Sequence, residues 1–118
     1  MVLTASTRTQ RGVTVIDLNG RITIGDPAAL LRDTVRREAD KNSRLLLNLA
    51  EVSFVDSAGL GELVGCYTTM LNRRGFIRVV NLQPRLKELL KMTRLDGLFE
   101  VYDDEQTALA SFGRGTGA

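Results

Sequence analysis

Residues 44–80 read RLLLNLAEVSFVDSAGLGELVGCYTTMLNRRGFIRVV. Arg44–Leu49 is a short, nearly continuous apolar run, which is typical of a strand buried on both faces of a sheet. Ala50–Val55 leads into Asp56-Ser57, and a helix pattern follows until Gly75. The apolar positions of this helix are Leu60, Leu63, Val64, Tyr67 and Leu71. Phe76–Val80 is a second apolar run, so the order strand, helix, strand predicts a right-handed βαβ unit with Arg44–Leu49 as a central strand.

The segment before this unit predicts an antiparallel hairpin and a helix. Val13–Leu18 (VTVIDL) and Arg21–Ile24 (RITI) are separated by Asn19-Gly20, which is a strong signal for a hairpin turn. Gly25-Asp26-Pro27 then ends the strand and begins a helix, with Asp26 as the candidate N-cap and Pro27 at the first helical position. The apolar positions of this first helix are Leu30, Leu31, Val35 and Ala39.

The remaining elements complete an α/β fold. Pro84 begins a helix, Leu98–Tyr102 predicts a short edge strand, and Asp104–Phe112 predicts a last helix. The fold class is therefore an open mixed sheet with an N-terminal antiparallel hairpin and parallel βα units, and with helices packed on the sheet. We expect residues 1–112 to form a single domain, because 118 residues are fewer than the roughly 150 of a typical domain. Residues 113–118, GRGTGA, have little apolar surface, and we expect a disordered tail there.

The composition argues against most kinds of catalysis. There is no histidine, which removes Ser-His-Asp and Cys-His arrangements, histidine-ligated metals and the commonest general base near neutral pH. The single cysteine, Cys66, excludes an internal disulfide and has no partners for a zinc site. Asp103, Asp104 and Glu105 lie in a polar stretch, which favours a solvated helix start over an acid/base pair. We predict that the protein is not an enzyme and holds neither a metal nor a cofactor.

Charge and hydropathy bear on partners and location. The formal net charge is +2 with both signs mixed along the chain, so we predict no direct contact with nucleic acid. No apolar run approaches the ~20 residues of a membrane span, and Met1–Thr9 lacks the apolar stretch of a secretory signal. We expect a cytoplasmic protein without a membrane span.

The segment Asp56-Ser57-Ala58-Gly59-Leu60-Gly61 carries the most information about function. It lies where a strand ends and a helix begins, and the unpaired backbone N–H groups at the start of a helix favour an anion. Ser57 could be a plain N-cap, with Gly59 and Gly61 kept small so that the helix approaches the sheet. Two glycines in a first turn nonetheless cost about 1 kcal/mol each relative to alanine. A plain cap does not require this cost, so we expect a contact that needs the backbone of the first turn to come close to it. The spacing of the glycines fits neither the dinucleotide fingerprint nor the phosphate loop of nucleotide-binding proteins.

The stretch Val55-Asp56-Ser57-Ala58-Gly59-Leu60-Gly61-Glu62-Leu63 resembles the signature of the STAS domain, specifically that of bacterial anti-sigma factor antagonists, also called anti-anti-sigma factors. In that family D-S-[small]-G-L-G occurs at the same junction between strand and helix. A weaker resemblance extends over Gly12–Phe112 and includes the G-R-I-T turn and Asn81-Leu82 followed by Pro84. The resemblance implies a STAS-like sheet.

The resemblance also implies a regulatory function. In the family, the serine directly after the aspartate is phosphorylated by a kinase that is also the anti-sigma factor, and this serine maps onto Ser57. The implied partners are an anti-sigma factor with serine kinase activity and a serine phosphatase. The unphosphorylated protein would bind the anti-sigma factor and the phosphorylated protein would release it, which regulates sigma-dependent transcription. The expected partner-binding residues are Asp56, Ser57, Ala58, Gly59, Leu60 and Gly61, and no residue is expected to be catalytic.

Several alternatives remain open at this level. Asp56 either caps the helix or orients the Ser57 hydroxyl towards the kinase's metal-bound nucleotide. The chain could instead be a non-switching STAS module, acting as a binding or scaffold subunit of a transport or stress-sensing complex. A hydrolase has only Ser57 in its favour and lacks the histidine.

Other notable side chains have simpler structural explanations. Lys87, Lys91 and Arg94 recur at helical spacing, which is more typical of a solvated helix face than of a site for an acidic partner. Cys66 fits a small core or boundary residue better than a reactive thiol. Met70 and Met92 could mark an adaptable contact surface, although filling gaps in the core is commoner.

Overall fold

The computed structural model describes residues 2–115. Nine elements follow in chain order: β1 (Thr4–Gln10), β2 (Val13–Ile22), α1 (Asp26–Ala39), β3 (Arg44–Val55), α2 (Ser57–Asn72), β4 (Phe76–Val80), α3 (Pro84–Met92), β5 (Glu100–Tyr102) and α4 (Glu105–Gly115). The strands form one sheet in the order β1-β2-β3-β4-β5. β1 and β2 are antiparallel, and every later neighbour is parallel. The predicted mixed α/β sheet with an N-terminal hairpin and a central β3 is therefore confirmed.

The position predicted for the hairpin turn is wrong. The turn lies at Arg11-Gly12, where φ is 51° and 76°, so both residues have the left-handed conformation that a tight two-residue hairpin requires. Asn19-Gly20 lies inside β2 instead, beside an irregularity in the register with β3. Gly20 has a φ of 124°, and a Cβ there would lie 2.4 Å from the Val2 carbonyl oxygen, so the glycine permits a close approach of two backbones. β1 itself was missed because its sequence, TASTRTQ, has no apolar alternation.

Two other element boundaries differ from the prediction. The N-cap position of α1 is Gly25, with a φ of 93°, whereas Asp26 is already helical and Pro27 follows it in the first turn. The difference arises because only glycine adopts the Gly25 conformation without strain. At the other end of the chain, α4 runs to Gly115, and residues 116–118 of the predicted tail lie outside the described residues.

The core has two layers on opposite faces of the sheet. One cluster joins strand residues to α1, α2 and α3, with Leu31, Leu63 and Leu90 among its buried members. A smaller cluster joins the other face to α4, where Phe112 is buried. In α2 the buried residues are Gly59, Leu63, Cys66 and Met70. Leu71, predicted to lie on the apolar face of α2, is 59% exposed.

Candidate functional site

The segment from Asp56 to Gly61 lies where β3 ends and α2 begins, at the carboxyl end of the parallel strands. β3 is longer than its neighbour β4, which pairs only with Arg44–Asn48. On its other side β3 stays paired with β2 as far as Val55. The start of α2 is therefore held against the end of β2.

Asp56 makes the contacts that fix this junction. It is the N-cap of α2, and its Oδ1 accepts a hydrogen bond from the Gly59 amide at 2.7 Å. Its Oδ2 accepts a second from the Ile24 amide at 2.9 Å, and its own N–H donates to the Ile22 carbonyl oxygen at 3.2 Å. The Gly59 amide and then the Ile24 amide hold the pKa of this carboxyl below its usual value. Asp56 thus joins the helix start to the chain that leaves β2.

Ser57 is the first residue of α2 and is exposed. Because Asp56 supplies the side-chain cap, the suggestion that Ser57 is the N-cap is wrong. Ser57 thus belongs to the first turn of α2, in which the Gly59 amide is bonded to Asp56. The position combines an accessible nucleophilic oxygen with the positive end of the helix dipole.

The two glycines of the first turn have different roles. Gly59 is buried, and a Cβ there would lie 2.0 Å from the Ile22 carbonyl oxygen, so this glycine is required for α2 to approach β2. Around Gly61 a Cβ would meet no atom within 4 Å. Close packing therefore explains Gly59, whereas Gly61 simply leaves the exposed surface of the first turn without a side chain.

Ile24 is a neighbour of this site that the sequence did not identify. It lies two residues after the end of β2, its amide donates to Asp56, and its side chain is 76% exposed. A large apolar side chain is thus displayed beside the start of α2. Its link to Asp56 joins residues far apart in the chain, so no local pattern could have identified it.

An apolar groove lies next to the same junction. It has a volume of about 300 Å³ and separates the end of β3 from α3. Its apolar lining consists of Val52, Phe54, Val55, Leu86, Leu89 and Met92. Since Val55 directly precedes Asp56, the groove and the start of α2 are continuous along the chain.

A family model of the STAS domain matches residues 4–108. The chain belongs to the STAS family. The resemblance seen in Val55–Leu63 is therefore confirmed.

The relatives of this STAS domain point to one branch of the family. The anti-sigma F factor antagonist of Paenibacillus polymyxa is 30% identical over 103 residues, which are 84% of this chain and 86% of the relative. A crystal structure of an anti-sigma factor antagonist from Mycobacterium paratuberculosis is 27% identical, with a TM-score of 0.78 over 92% of both chains. The Bacillus protein SpoIIAA, solved in its phosphorylated form, shares the fold at 19% identity, with a TM-score of 0.71 over 92% of this chain and 99% of that one. The chain is thus a member of the anti-sigma factor antagonist family by homology.

Other sequence candidates lie away from the start of α2 in this STAS domain. Lys87 pairs with Asp103 at 3.0 Å, and Lys91 and Arg94 are exposed. Cys66 is buried, and burial raises the pKa of its thiol to about 12, so it is an unreactive core residue. Met70 is buried, whereas Met92 is 75% exposed at the rim of the groove.

Residues 2–115 contain neither a cluster of metal ligands nor a helix that could span a membrane. No cluster of three or more His, Cys, Asp or Glu side chains in this range could hold a metal ion. None of the helices there has both the length and the apolar character needed to cross a bilayer.

Proposed function

We propose that the unmodified protein binds an anti-sigma factor that is also a serine kinase, and that phosphorylation of Ser57 releases this partner. A serine phosphatase would restore the binding form, and the switch would regulate sigma-dependent transcription in the cytoplasm. In this proposal residues 1–112 act as a single STAS domain. The observation that carries it is the exposed Ser57 hydroxyl at the first position of α2, which the Asp56 cap leaves free of a structural role.

The start of α2 can accept a phosphate without losing the fold. Phosphorylation adds about −1.5 to −2 charges and three acceptor oxygens, and a helix N-terminus favours such charge. The cap comes from Asp56 through its bonds to Gly59 and Ile24, so modification of Ser57 removes no capping hydrogen bond. The modified protein should therefore stay folded.

A bound partner, in contrast, would face a large change in charge. The Asp56 carboxylate already lies beside Ser57, and its depressed pKa keeps it ionised at neutral pH. Phosphorylation would bring the local charge to about −2.5 to −3. A partner that buries this surface without a matching cation loses several kcal/mol, and each 1.4 kcal/mol is tenfold in affinity.

The proposed contact surface comprises residues 56–61 together with Ile24. Ile24 supplies an exposed apolar side chain, which is the type of residue that anchors an interface core. Gly61 supplies an exposed backbone without a side chain, so a partner can approach the first turn of α2 closely. The groove beyond Val55 extends the apolar area next to this surface.

The protein is the substrate of this proposed reaction and supplies no base for it. Both Asp56 oxygens accept backbone hydrogen bonds, and their depressed pKa makes the carboxylate a weak proton acceptor. The kinase would therefore supply both the base and the nucleotide.

The test is phosphorylation by candidate anti-sigma kinases with ATP, followed by intact mass measurement and peptide mapping. We expect one added phosphate on Ser57 in the wild type and in Ser6→Ala, which removes another exposed serine, and none in Ser57→Ala. In pull-down measurements Ser57→Ala should keep binding, whereas Ser57→Asp should weaken it about tenfold or more. A phosphate on another residue, or binding indifferent to both Ser57 variants, would refute the switch and favour a non-switching STAS module.

A further inference from the structure

The end of the molecule at which the parallel strands begin is strongly basic. The β1–β2 turn, the last turn of α1 with the loop that follows, and the loop after α2 meet there. The loop after α3 leads into β5 at the same end, and its Arg94 and Asp96 add no net charge. We call this surface the basic end, and its cations are Arg11, Arg36, Arg37, Lys41, Arg44, Arg73 and Arg74. The start of α2 lies about 24 Å away, because the whole of α2 separates Ser57 from Arg73.

Hydrogen bonds join the three loops into one surface. The Asn42 side-chain amide donates to the Gly12 carbonyl oxygen at 2.9 Å, which ties the α1–β3 loop to the hairpin turn. The Phe76 amide donates to the Ser43 carbonyl oxygen at 2.7 Å, and Arg73 pairs with Asp40. The cations are therefore held side by side on a fixed scaffold.

The charge of this end is poorly neutralised. Its acidic residues are Glu38 and Asp40, and Glu38 is buried beneath Arg37 and Lys41, with N–O distances of 3.2 and 3.7 Å. Four of the cations form no ion pair among residues 2–115: Arg11, Arg36, Arg44 and Arg74. Since the whole chain has a net charge of only +2, the rest of the molecule carries more acidic than basic groups. The positive charge is thus concentrated here.

Two of these arginines occupy backbone positions that do not suit them. Arg11 and Arg74 have φ values of 51° and 58°, in the left-handed region that glycine and asparagine adopt more readily. Local folding alone would favour glycine at both turns. Glycine can therefore replace either arginine without strain in the backbone, which makes both positions suitable for testing the charge of this end.

The neighbourhood favours a lipid surface as the anion that is bound. Leu71 lies in the last turn of α2, two residues before Arg73, and is 59% exposed. Clusters of four to eight basic residues bind anionic lipid surfaces, and an exposed apolar side chain among them adds to that binding. The basic end consists of loops and helix ends, whereas reading a nucleic acid groove requires a helix flank or a strand ribbon.

We propose that the basic end docks on the anionic headgroups of a lipid bilayer, with Leu71 as its apolar contact. The protein would lie on the membrane surface without crossing it. Ser57, at the far end of α2, would then face away from the bilayer and stay accessible to a protein partner. The two surfaces could be occupied at the same time.

The test is co-sedimentation of the full chain with phosphatidylglycerol vesicles and with phosphatidylcholine vesicles, at low and at high salt. We expect binding to the first lipid only, and its loss in high salt. Arg11→Gly and Arg74→Gly should each weaken binding about fivefold. Both substitutions relieve the left-handed backbone, so neither should lower the melting temperature measured by circular dichroism.

Arg85→Ala is the control, because Arg85 is an exposed arginine in the first turn of α3, which lies at the opposite end of the parallel strands. It should bind vesicles like the wild type. Failure of the wild type to bind phosphatidylglycerol, or equal losses in Arg74→Gly and Arg85→Ala, would overturn the proposal. Binding to duplex DNA but not to vesicles would also overturn it and assign the basic end to nucleic acid.

Discussion

Replacement of Gly59 by alanine should destabilise the fold, whereas the same replacement at Gly61 should not. At Gly59 the new methyl group would lie 2.0 Å from the Ile22 carbonyl oxygen and 2.8 Å from its carbon. An ordinary contact needs about 3.4 Å, so α2 and β2 would have to separate by about 1.4 Å. Asp56 resists this movement because it is bonded both to Gly59 and to the chain at Ile24.

The size of the effect follows from two opposing contributions. Overpacking of a well-packed contact costs about 1–3 kcal/mol, and the backbone position of Ile22 favours the upper value. Alanine in place of glycine stabilises a helix by about 1 kcal/mol. We therefore expect Gly59→Ala to lower the free energy of unfolding by about 2 kcal/mol, and Gly61→Ala to raise it by up to about 1 kcal/mol.

Urea denaturation followed by circular dichroism measures this difference directly. In thermal melts Gly59→Ala should unfold about 8 °C below the wild type, and Gly61→Ala at or slightly above it. A larger substitution at Gly61 should instead affect partner binding. Gly61→Gln places a bulky side chain on the proposed contact surface, so it should weaken partner binding while the fold stays intact. Equal stability of the two alanine variants would refute the close approach of α2 to β2.

Three further predictions concern titratable groups. Asp56 has a depressed pKa in the folded state, so its contribution to stability is present above about pH 4 and is lost as the pH falls through the folded value; acidification should therefore destabilise the wild type more than Asp56→Asn in urea titrations. Cys66, with its pKa raised to about 12, should resist iodoacetamide at pH 8 in the native protein and react in denaturant, as mass spectrometry would show. Arg8 bridges Asp17 at 2.7 Å and Glu105 at 2.5 Å, so Arg8→Met should leave two carboxylates facing each other. After solvent screening, this substitution should lower the free energy of unfolding by about 1 kcal/mol. Full stability of Arg8→Met would contradict the bridging role of Arg8.

The sequence predicted the central part of the fold because its signals are local. Arg44–Leu49 and Phe76–Val80 are apolar runs with a helix pattern between them, and parallel pairing follows from that order. The junction at Asp56 was recognisable for the same reason, since an N-cap and a glycine-containing first turn lie within a few residues.

The features that were mispredicted depend on contacts between distant segments. Asn19-Gly20 carries a hairpin signal, yet it continues β2 because neighbouring backbone at Val2 packs against Gly20. Ile24 is fixed beside the site by Asp56, and no local pattern shows that bond. The sequence does not predict the basic end, because its arginines lie in three separate loops that only the parallel topology brings together.

The affinity of the anti-sigma kinase for the full chain, compared between unmodified protein and protein phosphorylated at Ser57, tests the central proposal most directly. Calorimetric titration of both forms would give the two dissociation constants. A dianion buried beside Asp56 should weaken binding by about a hundredfold, with circular dichroism spectra unchanged. Equal dissociation constants for the two forms would contradict the account.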